Sequence, residues 1–340
     1  MKLLTRALGG VVAGSLALLS MTACSSGGSA ESTVKLQLSI PDPITSSVGV
    51  TAQHFADQVK DKSAGKIVVT VIPNGTSFGG DQAAAVTRLQ SGSLDGLILS
   101  TSVYATTYPK MNAISIPYLF TDTKQEAAYL AGEPGKALLT DLGAQGTKGL
   151  ALLTRTAREV TNNQKPINTP ADLKGLKIRV PGNPLWTDFF GSLGASPTTM
   201  AFSEVFTGLQ TGTIDGQENP VEVPLSNKLY EVQQYLSMTN HINDAFVLAL
   251  SDKKWSAMSA DQQGILQAAA DETAQYKTTF DEEQAAKARA ELEAKGMKIN
   301  DLTPAGLAEF RSASEALHPK FSELIGKEFF DTTISFASKS

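Results

Sequence analysis

The sequence predicts an α/β protein made of two equivalent lobes, and three observations carry that expectation. Strand-like and helix-like stretches alternate from Val34 onward, the pattern of layered α/β structure. An eight-residue motif occurs twice, as "LQSGSLDG" at 89–96 and as "LQTGTIDG" at 209–216, with Leu, Gln, Gly, Asp and Gly shared. A proline-free helical stretch at 259–296 is long for one lobe and suits a strut that spans both.

Before the first strand, "MKLLTRALGGVVAGSLALLSMTAC" has a basic start (Lys2, Arg6), an apolar run and small residues ahead of Cys24. Residues 1–23 therefore read as a secretory signal peptide, too short and glycine-rich for a stable membrane span. Cys24 is the chain's single cysteine, and "MTAC" resembles a lipobox with Met21 where leucine is usual. That resemblance implies a lipidated Cys24, whereas ordinary cleavage beside an incidental cysteine is the alternative. Residues 24–33 have no apolar side chain large enough to anchor a core and read as a flexible tether.

In the body of the chain, "VKLQLSI" alternates and reads as a strand, and "VTAQHFADQVKDKS" places Val50, Phe55 and Val59 at helical spacing. "KIVVTVI" is a second strand, while "GLILST" and "LALLT" are short apolar runs typical of strands covered on both faces. Each copy of the repeat closes a helix, and the glycine after "LQS" or "LQT" suits the left-handed position past a helix end. Each also follows a proline-containing loop, "IPNGTSFGG" or "ASPTTMAFS". Loops of this kind gather at the carboxyl ends of strands, so two of them would face each other across a cleft. Thr169, Pro170 and Asp172 form a helix start, and the strand "GLKIRV" puts Leu176, Ile178 and Val180 on one face and Arg179 on the other. In the long helix, Ser259 and Gln262 make a capping box, Gly296 supplies the stop, and no sustained heptad seam argues for a coiled coil.

Composition narrows the function. Losing Lys2 and Arg6 takes the formal charge from −5 to −7, the wrong sign for binding nucleic acid. No apolar run after residue 24 is long enough to span a bilayer. One cysteine rules out an internal disulfide, and the histidines His54, His241 and His318 lack the spacing of paired zinc ligands. "NGTSFGG" contains G-x-S-x-G between a strand and a helix, the context of a hydrolase nucleophile elbow. A serine hydrolase built on Ser77, with His241 or His318 as base, is thus one reading.

A second reading rests on longer stretches. "KPINTPADLKGLKIRVPGNP", "LGASPTTMAFSEVFTGLQTGTIDGQENP" and "MTNHI" closely resemble the extracytoplasmic solute-binding proteins of tripartite ATP-independent periplasmic (TRAP) transporters, the dicarboxylate-binding-protein family. The resemblance covers nearly all of the chain past the tether. It implies a two-lobed periplasmic-binding-protein-like fold, each lobe a mixed sheet with flanking helices, and a long C-terminal helix shared by both. Residues 34–156 plus about 245–284 would form lobe I, and 157–244 plus about 285–340 lobe II. Hinges would lie near 155–158 and 241–246, with closure around an organic acid anion.

By this resemblance Arg179 is the main carboxylate clamp, a role that its planar fork suits better than lysine would. Arg158 in "TAREVTNN" matches a second cationic position, for which Arg155 competes. Asn219 in "GQENP" matches a ligand hydrogen-bonding position, or it caps the turn before Pro220. Phe202 matches an aromatic cleft wall, or it is a core residue; Trp186 could stack on a ring or simply pack in its helix. Family members that bind 2-oxo acids with a metal carry a Glu-Trp pair where "QEN" stands here, so neither metal nor other cofactor is expected. Ser46, Ser47, Ser77, Ser100 and Thr101 would give the first lobe a hydroxyl-rich wall, which suits a sugar acid such as a uronate at least as well as a dicarboxylate. The resemblance further implies an exported receptor, not an enzyme, at the outer face of the cell membrane or in the periplasm. Its partners would be the large and small membrane subunits of a permease, or alternatively a sensor kinase.

Overall fold

A computed structural model describes residues 33–339, so the expected signal peptide, Cys24 and nearly all of the tether lie outside the described residues. Strands follow in the order β1 (Val34–Ser39), β2 (Ile67–Ile72), β3 (Gly96–Ser100), β4 (Thr147–Leu153) and β5 (Arg158–Asn162). They continue as β6 (Lys177–Val180), β7 (Ser196–Thr199), β8 (Gly216–Pro220), β9 (Tyr235–Ile242), β10 (Phe246–Ser251) and β11 (Lys298–Asp301). The alternation of strands and helices read from the sequence is present throughout.

Two mixed sheets result. The first has five strands in the order β2-β1-β3-β10-β4, and the second has six in the order β11-β9-β5-β8-β6-β7. In the first, β1 runs parallel to β2 and β3, while β10 runs antiparallel to β3 and β4. In the second, β6 is parallel to β7 and β8, and β5 is antiparallel to β8 and β9. The chain passes from the first sheet to the second at 154–157 and returns at 243–245.

The apolar run "GLILS" becomes β3 with every residue buried, because the sheet is covered on both faces. Leu97 and Leu99 point into one core with Phe78 and Tyr129, and Ile98 points into the other with Phe55 and Leu266. Each such side chain contributes roughly 1.5–3 kcal/mol on burial. The two copies of the repeat end the helices Gln82–Gln90 and Phe202–Gln210 and feed β3 and β8. Gly92 (φ +76°) and Gly212 (φ +72°) take the left-handed conformation that such an exit requires. The aspartate common to both copies pins the neighbouring parallel strand in each sheet. Asp95 accepts from the Gln37 backbone N–H of β1 (3.1 Å), and Asp215 from that of Lys177 in β6 (2.8 Å).

The long helix is Ala260–Ala294, 35 residues and about 50 Å at 1.5 Å per residue. Ser259 and Gln262 form the reciprocal capping box that the sequence predicted. Its first half buries Leu266, Ala269 and Ala270 against the first sheet, and its far half packs Ala288 and Leu292 on Leu236 of β9 and Met297. The helix thus spans both sheets as a strut. The start predicted at Thr169 is a single 3-10 turn, Pro170–Leu173, whose capping box joins Thr169 and Asp172.

Candidate functional site

Between the sheets lies a half-enclosed cavity whose empty space, counted together with the solvent at its mouth, is about 430 Å³. From the first sheet it receives Asp42, on the loop after β1, and Ser100, at the carboxyl end of β3. From the second it receives Arg158 at the start of β5, Arg179 near the end of β6 and Asn219 near the end of β8. Arg155, on the crossing segment, and Phe202 complete the lining used below. Ser100, Arg179 and Asn219 stand at the carboxyl ends of their strands and Asp42 just past one, as the topology of open α/β sheets requires, whereas Arg158 reaches the same crevice from the amino end of the antiparallel strand β5.

Three arginines line the cavity, and they are not equivalent. Arg155 Nη1 donates to Asp244 Oδ1 at 2.8 Å and Oδ2 at 3.1 Å, and Ser100 donates its hydroxyl to the same carboxylate. Arg158 grips Glu218 through Nε (2.6 Å) and Nη2 (3.0 Å), and Nη2 also reaches Asn219 Oδ1 at 2.9 Å. Arg179 forms no ion pair among the described residues. Its Nε and Nη2 donate to the Met200 carbonyl at 3.2 and 2.9 Å, and its guanidinium lies 5.7 Å from the Phe202 ring centroid. Although Arg179 is only 4% exposed, it lines the cavity. Burial, opposed by Glu218 and reinforced by Arg158, pushes its pKa down to about 10, so it remains a cation at neutral pH.

Acids and neutral groups around the cleft follow from the same burial. Burial alone would raise the Glu218 carboxyl, yet Arg158's charge and hydrogen bonds from His241 and Arg158 hold it below the ordinary carboxylate range. His241 sits 3.3 Å from Glu218 through Nε2, and its Nδ1 is 2.8 Å from the Thr239 hydroxyl. Burial lowers its pKa, which fits a neutral imidazole donating from Nε2 and accepting at Nδ1. Asp42 is raised by burial, against the charge of Arg155 and a hydrogen bond from Asn227. Asn219 also donates from Nδ2 to Gln217 at 2.6 Å, so its amide bridges Arg158 and Gln217 along the wall.

The cavity therefore brings together Arg179, Arg158, Asn219, Phe202 and Ser100, with Arg155 beside them. Two other expected site residues stand elsewhere. Trp186 is fully buried and lies under Arg158, whose guanidinium is 4.4 Å from the indole centroid, so it supports the arginine from behind. Ser77 donates its hydroxyl to Ser39 at 2.7 Å, and its carbonyl accepts from Arg88 at 2.8 Å. Neither histidine proposed as its base is its partner, since His241 serves Glu218 and His318 packs on Phe330. Ser46 caps the helix Ser47–Lys62, and Ser47 donates to Asp281 at 2.7 Å, so neither hydroxyl is on the cavity wall. Asp42 and Ser102 line the cavity without having been singled out in the sequence. A signal for Asp42 existed: an acid between Pro41 and Pro43, directly after the first strand, sits at a carboxyl end.

Residues 42–324 match the family described as bacterial extracellular solute-binding protein, family 7. A 2,3-diketo-L-gulonate-binding periplasmic protein of Escherichia coli is 35% identical over 233 residues, 68% of this chain and 70% of that protein. A C4-dicarboxylate-binding protein of Bacillus subtilis is 30% identical over 281 residues, 82% of this chain and 80% of that one. In three dimensions, a sugar acid binding protein of Advenella mimigardefordensis in complex with galactonate superposes with a TM-score of 0.87. That pair shares 30% identity over 91% of this chain and 99% of the other. Matched in sequence and in fold over most of its length, the protein belongs to bacterial extracellular solute-binding protein family 7, the solute receptors of TRAP transporters.

Proposed function

We propose that the protein is an exported receptor that closes its cleft on a small organic acid anion and delivers it to the membrane subunits of an ion-coupled TRAP permease. The observation that carries this reading is Arg179, a buried cation on the cavity wall with no carboxylate paired to it among the described residues. A buried charge is costly unless it is compensated, and a ligand carboxylate gripped by the guanidinium fork supplies the compensation. Charge-assisted hydrogen bonds contribute roughly 1.5–3 kcal/mol each, enough for two of them to carry a large share of micromolar affinity. Relatives named for 2,3-diketo-L-gulonate and C4-dicarboxylates, and a structural neighbour holding galactonate, support a carboxylate ligand.

Within this reading Arg158 and Asn219 form the cleft wall beside the clamp, Phe202 covers it, and Ser77 has no catalytic role. Residues 34–156 with about 245–284 move as one lobe against 157–244 with about 285–340, and bending occurs near 155–158 and 241–246. Cys24 carries a lipid that keeps the receptor at the outer face of the membrane; Cys24→Ala then releases it from membranes.

Thermal shift against a panel of organic acids identifies the ligand, since a ligand at ~1,000 times its Kd adds about 4 kcal/mol of stability. Calorimetric titration of Arg179→Ala with that acid should then show a loss of roughly 3–5 kcal/mol, two to four decades of affinity. Arg179→Lys should recover only part of it, because a point charge cannot reproduce the paired hydrogen bonds. A folded Arg179→Ala that binds within about threefold of the parent, under ~0.7 kcal/mol, would sink the clamp assignment.

A further inference from the structure

We infer that Arg155 is a second ligand contact: the free edge of its guanidinium takes an uncharged oxygen, hydroxyl or oxo, of an acid whose carboxylate sits on Arg179. The inference rests on the carboxylate reading above and adds to it what the rest of the ligand must carry. Its basis is which edge of each cavity arginine is already engaged. Arg158 turns its side-on edge, Nε and Nη2, to Glu218, and Arg179 turns the same edge to the Met200 carbonyl. Arg155 meets both oxygens of Asp244 with Nη1 alone. Its Nε is buried without a hydrogen-bond partner, and its Nη2 makes no hydrogen bond among the described residues. A buried donor left unmet is costly, and because Arg155 lines the cavity, an acceptor that enters there removes the cost.

The guanidinium is held in place for this role. Its Cζ lies over the ring of Phe246, another residue of the cavity lining, 4.2 Å from the centroid. The Arg155 backbone N–H donates to the buried Glu126 of the helix Thr123–Ala131, which anchors the main chain at the same point. Burial works against the cation, but Asp244 and then Glu222 raise its pKa, so Arg155 keeps its charge. That charge is already matched, which decides the class of acceptor. Arg155 pairs with Asp244, Arg158 pairs with Glu218, and Arg179 takes the ligand's carboxylate. A second ligand carboxylate at Arg155 would find no unmatched arginine on the wall and would share a desolvated space with Asp244. A hydroxyl or oxo oxygen accepts from the same donors without adding charge.

The test is calorimetric titration of the parent and Arg155→Lys with galactonate, succinate and butyrate, after circular dichroism shows each protein folded. Galactonate has hydroxyls, succinate a second carboxylate, and butyrate neither. Lysine keeps a cation for Asp244 and removes the paired donors of the free edge. The parent should bind galactonate about tenfold or more tighter than the other two acids. Arg155→Lys should weaken galactonate about tenfold and leave butyrate within about threefold. Arg155→Gln with Asp244→Asn, which removes the edge and both charges together, should do the same and serves if the lysine variant does not fold. An equal loss for all three acids would mark Arg155 as structural support, and galactonate unchanged within about threefold would mark it as no contact; either overturns the inference. So does a parent that binds galactonate no tighter than butyrate, or one that prefers succinate and loses that acid most in Arg155→Lys. In each of these cases the Arg179 clamp stands if Arg179→Ala still weakens an acid of the panel. If Arg179→Ala changes the binding of no acid in the panel, the carboxylate reading falls and this inference with it.

Discussion

Arg158 and Arg179 differ by one relation that no residue-level pattern displays: Arg158 is ion-paired with Glu218, and Arg179 is ion-paired with no carboxylate among the described residues. Both arginines are buried, both line the cavity, and the resemblance places both at cationic positions of the family. Arg158 is a support in the structure, since it holds Glu218 and Asn219 in place from above Trp186. Arg158→Ala should accordingly cost stability, roughly 3–5 kcal/mol, because Glu218 is left buried without its ion pair and keeps the hydrogen bond from His241. The pH dependence has a definite sign. Glu218 is depressed in the folded protein, so its stabilisation is present above the unfolded carboxylate value and is lost as pH falls through the folded one. The deficit of Arg158→Ala should therefore be largest near neutral pH and shrink in acid. Urea unfolding of parent and variant at pH 7 and below pH 4 reads it. A variant of full stability that has lost only ligand binding would make Arg158 a ligand contact alone.

At the scale of elements, the strut helix is where sequence reading went furthest and also where it stopped. Its bounds, capping box and terminal glycine were legible because they are local: each depends on residues within four positions. The strands "GLILST" and "GLKIRV" were legible for the same reason, as was the repeat. What local pattern could not show is burial of charge. Lys277 and Asp281 stand at i, i+4, the spacing of an ordinary surface pair, and Lys327 with Asp331 is such a pair, well exposed. Lys277 and Asp281, however, are fully buried, and Ser47 at the start of another helix accepts from Lys277 and donates to Asp281. The pair locks the strut to the helix Ser47–Lys62 at mid-length, and only the three-dimensional arrangement reveals it. In the site, likewise, Arg179 was legible from its strand face, whereas Asp244 and Glu218 as partners were not, because both pairs join segments about 60 residues apart or more. Lys277→Ala should cost roughly 3–5 kcal/mol, since Asp281 would remain buried near Glu222, whose carboxyl burial and Asp281 already push up. The double variant Lys277→Met with Asp281→Leu should recover most of that loss, because an apolar pair of similar volume needs no compensation. Chemical unfolding decides it; a double variant as unstable as the single one would show that the pair itself, and not its charge balance, holds the strut.

At the scale of the whole molecule, elements flanking the two sheets meet again at the rim of the cleft, where Gly80 lies against Ser203. Gly80 belongs to the loop before the helix Gln82–Gln90, and Ser203 to the helix Phe202–Gln210, so the contact joins the two loop regions that the repeat had paired. A Cβ built on Gly80 would stand 3.0 Å from Ser203 Oγ and 3.1 Å from its Cβ, and the backbone there has φ +78°. Gly80→Ala therefore acts in two separable ways. The left-handed backbone costs roughly 1 kcal/mol wherever the lobes are, because that strain is internal to the loop. The clash with Ser203 exists only when the rim is shut, so it penalises the closed form alone and lowers apparent affinity by the fraction of closed molecules lost. A penalty of ~1 kcal/mol on closure weakens ligand binding about fivefold and should appear mainly as faster dissociation. Gly80→Ala with Ser203→Gly separates the two effects: removing the Ser203 side chain relieves the clash, so affinity should return while the loss of stability remains. Stopped-flow dissociation and thermal unfolding of the parent, the single and the double variant read the two quantities independently. If the double variant stays as weak as Gly80→Ala, the rim contact does not limit closure, and the strained loop acts on the ligand by moving the neighbouring wall of the cleft instead.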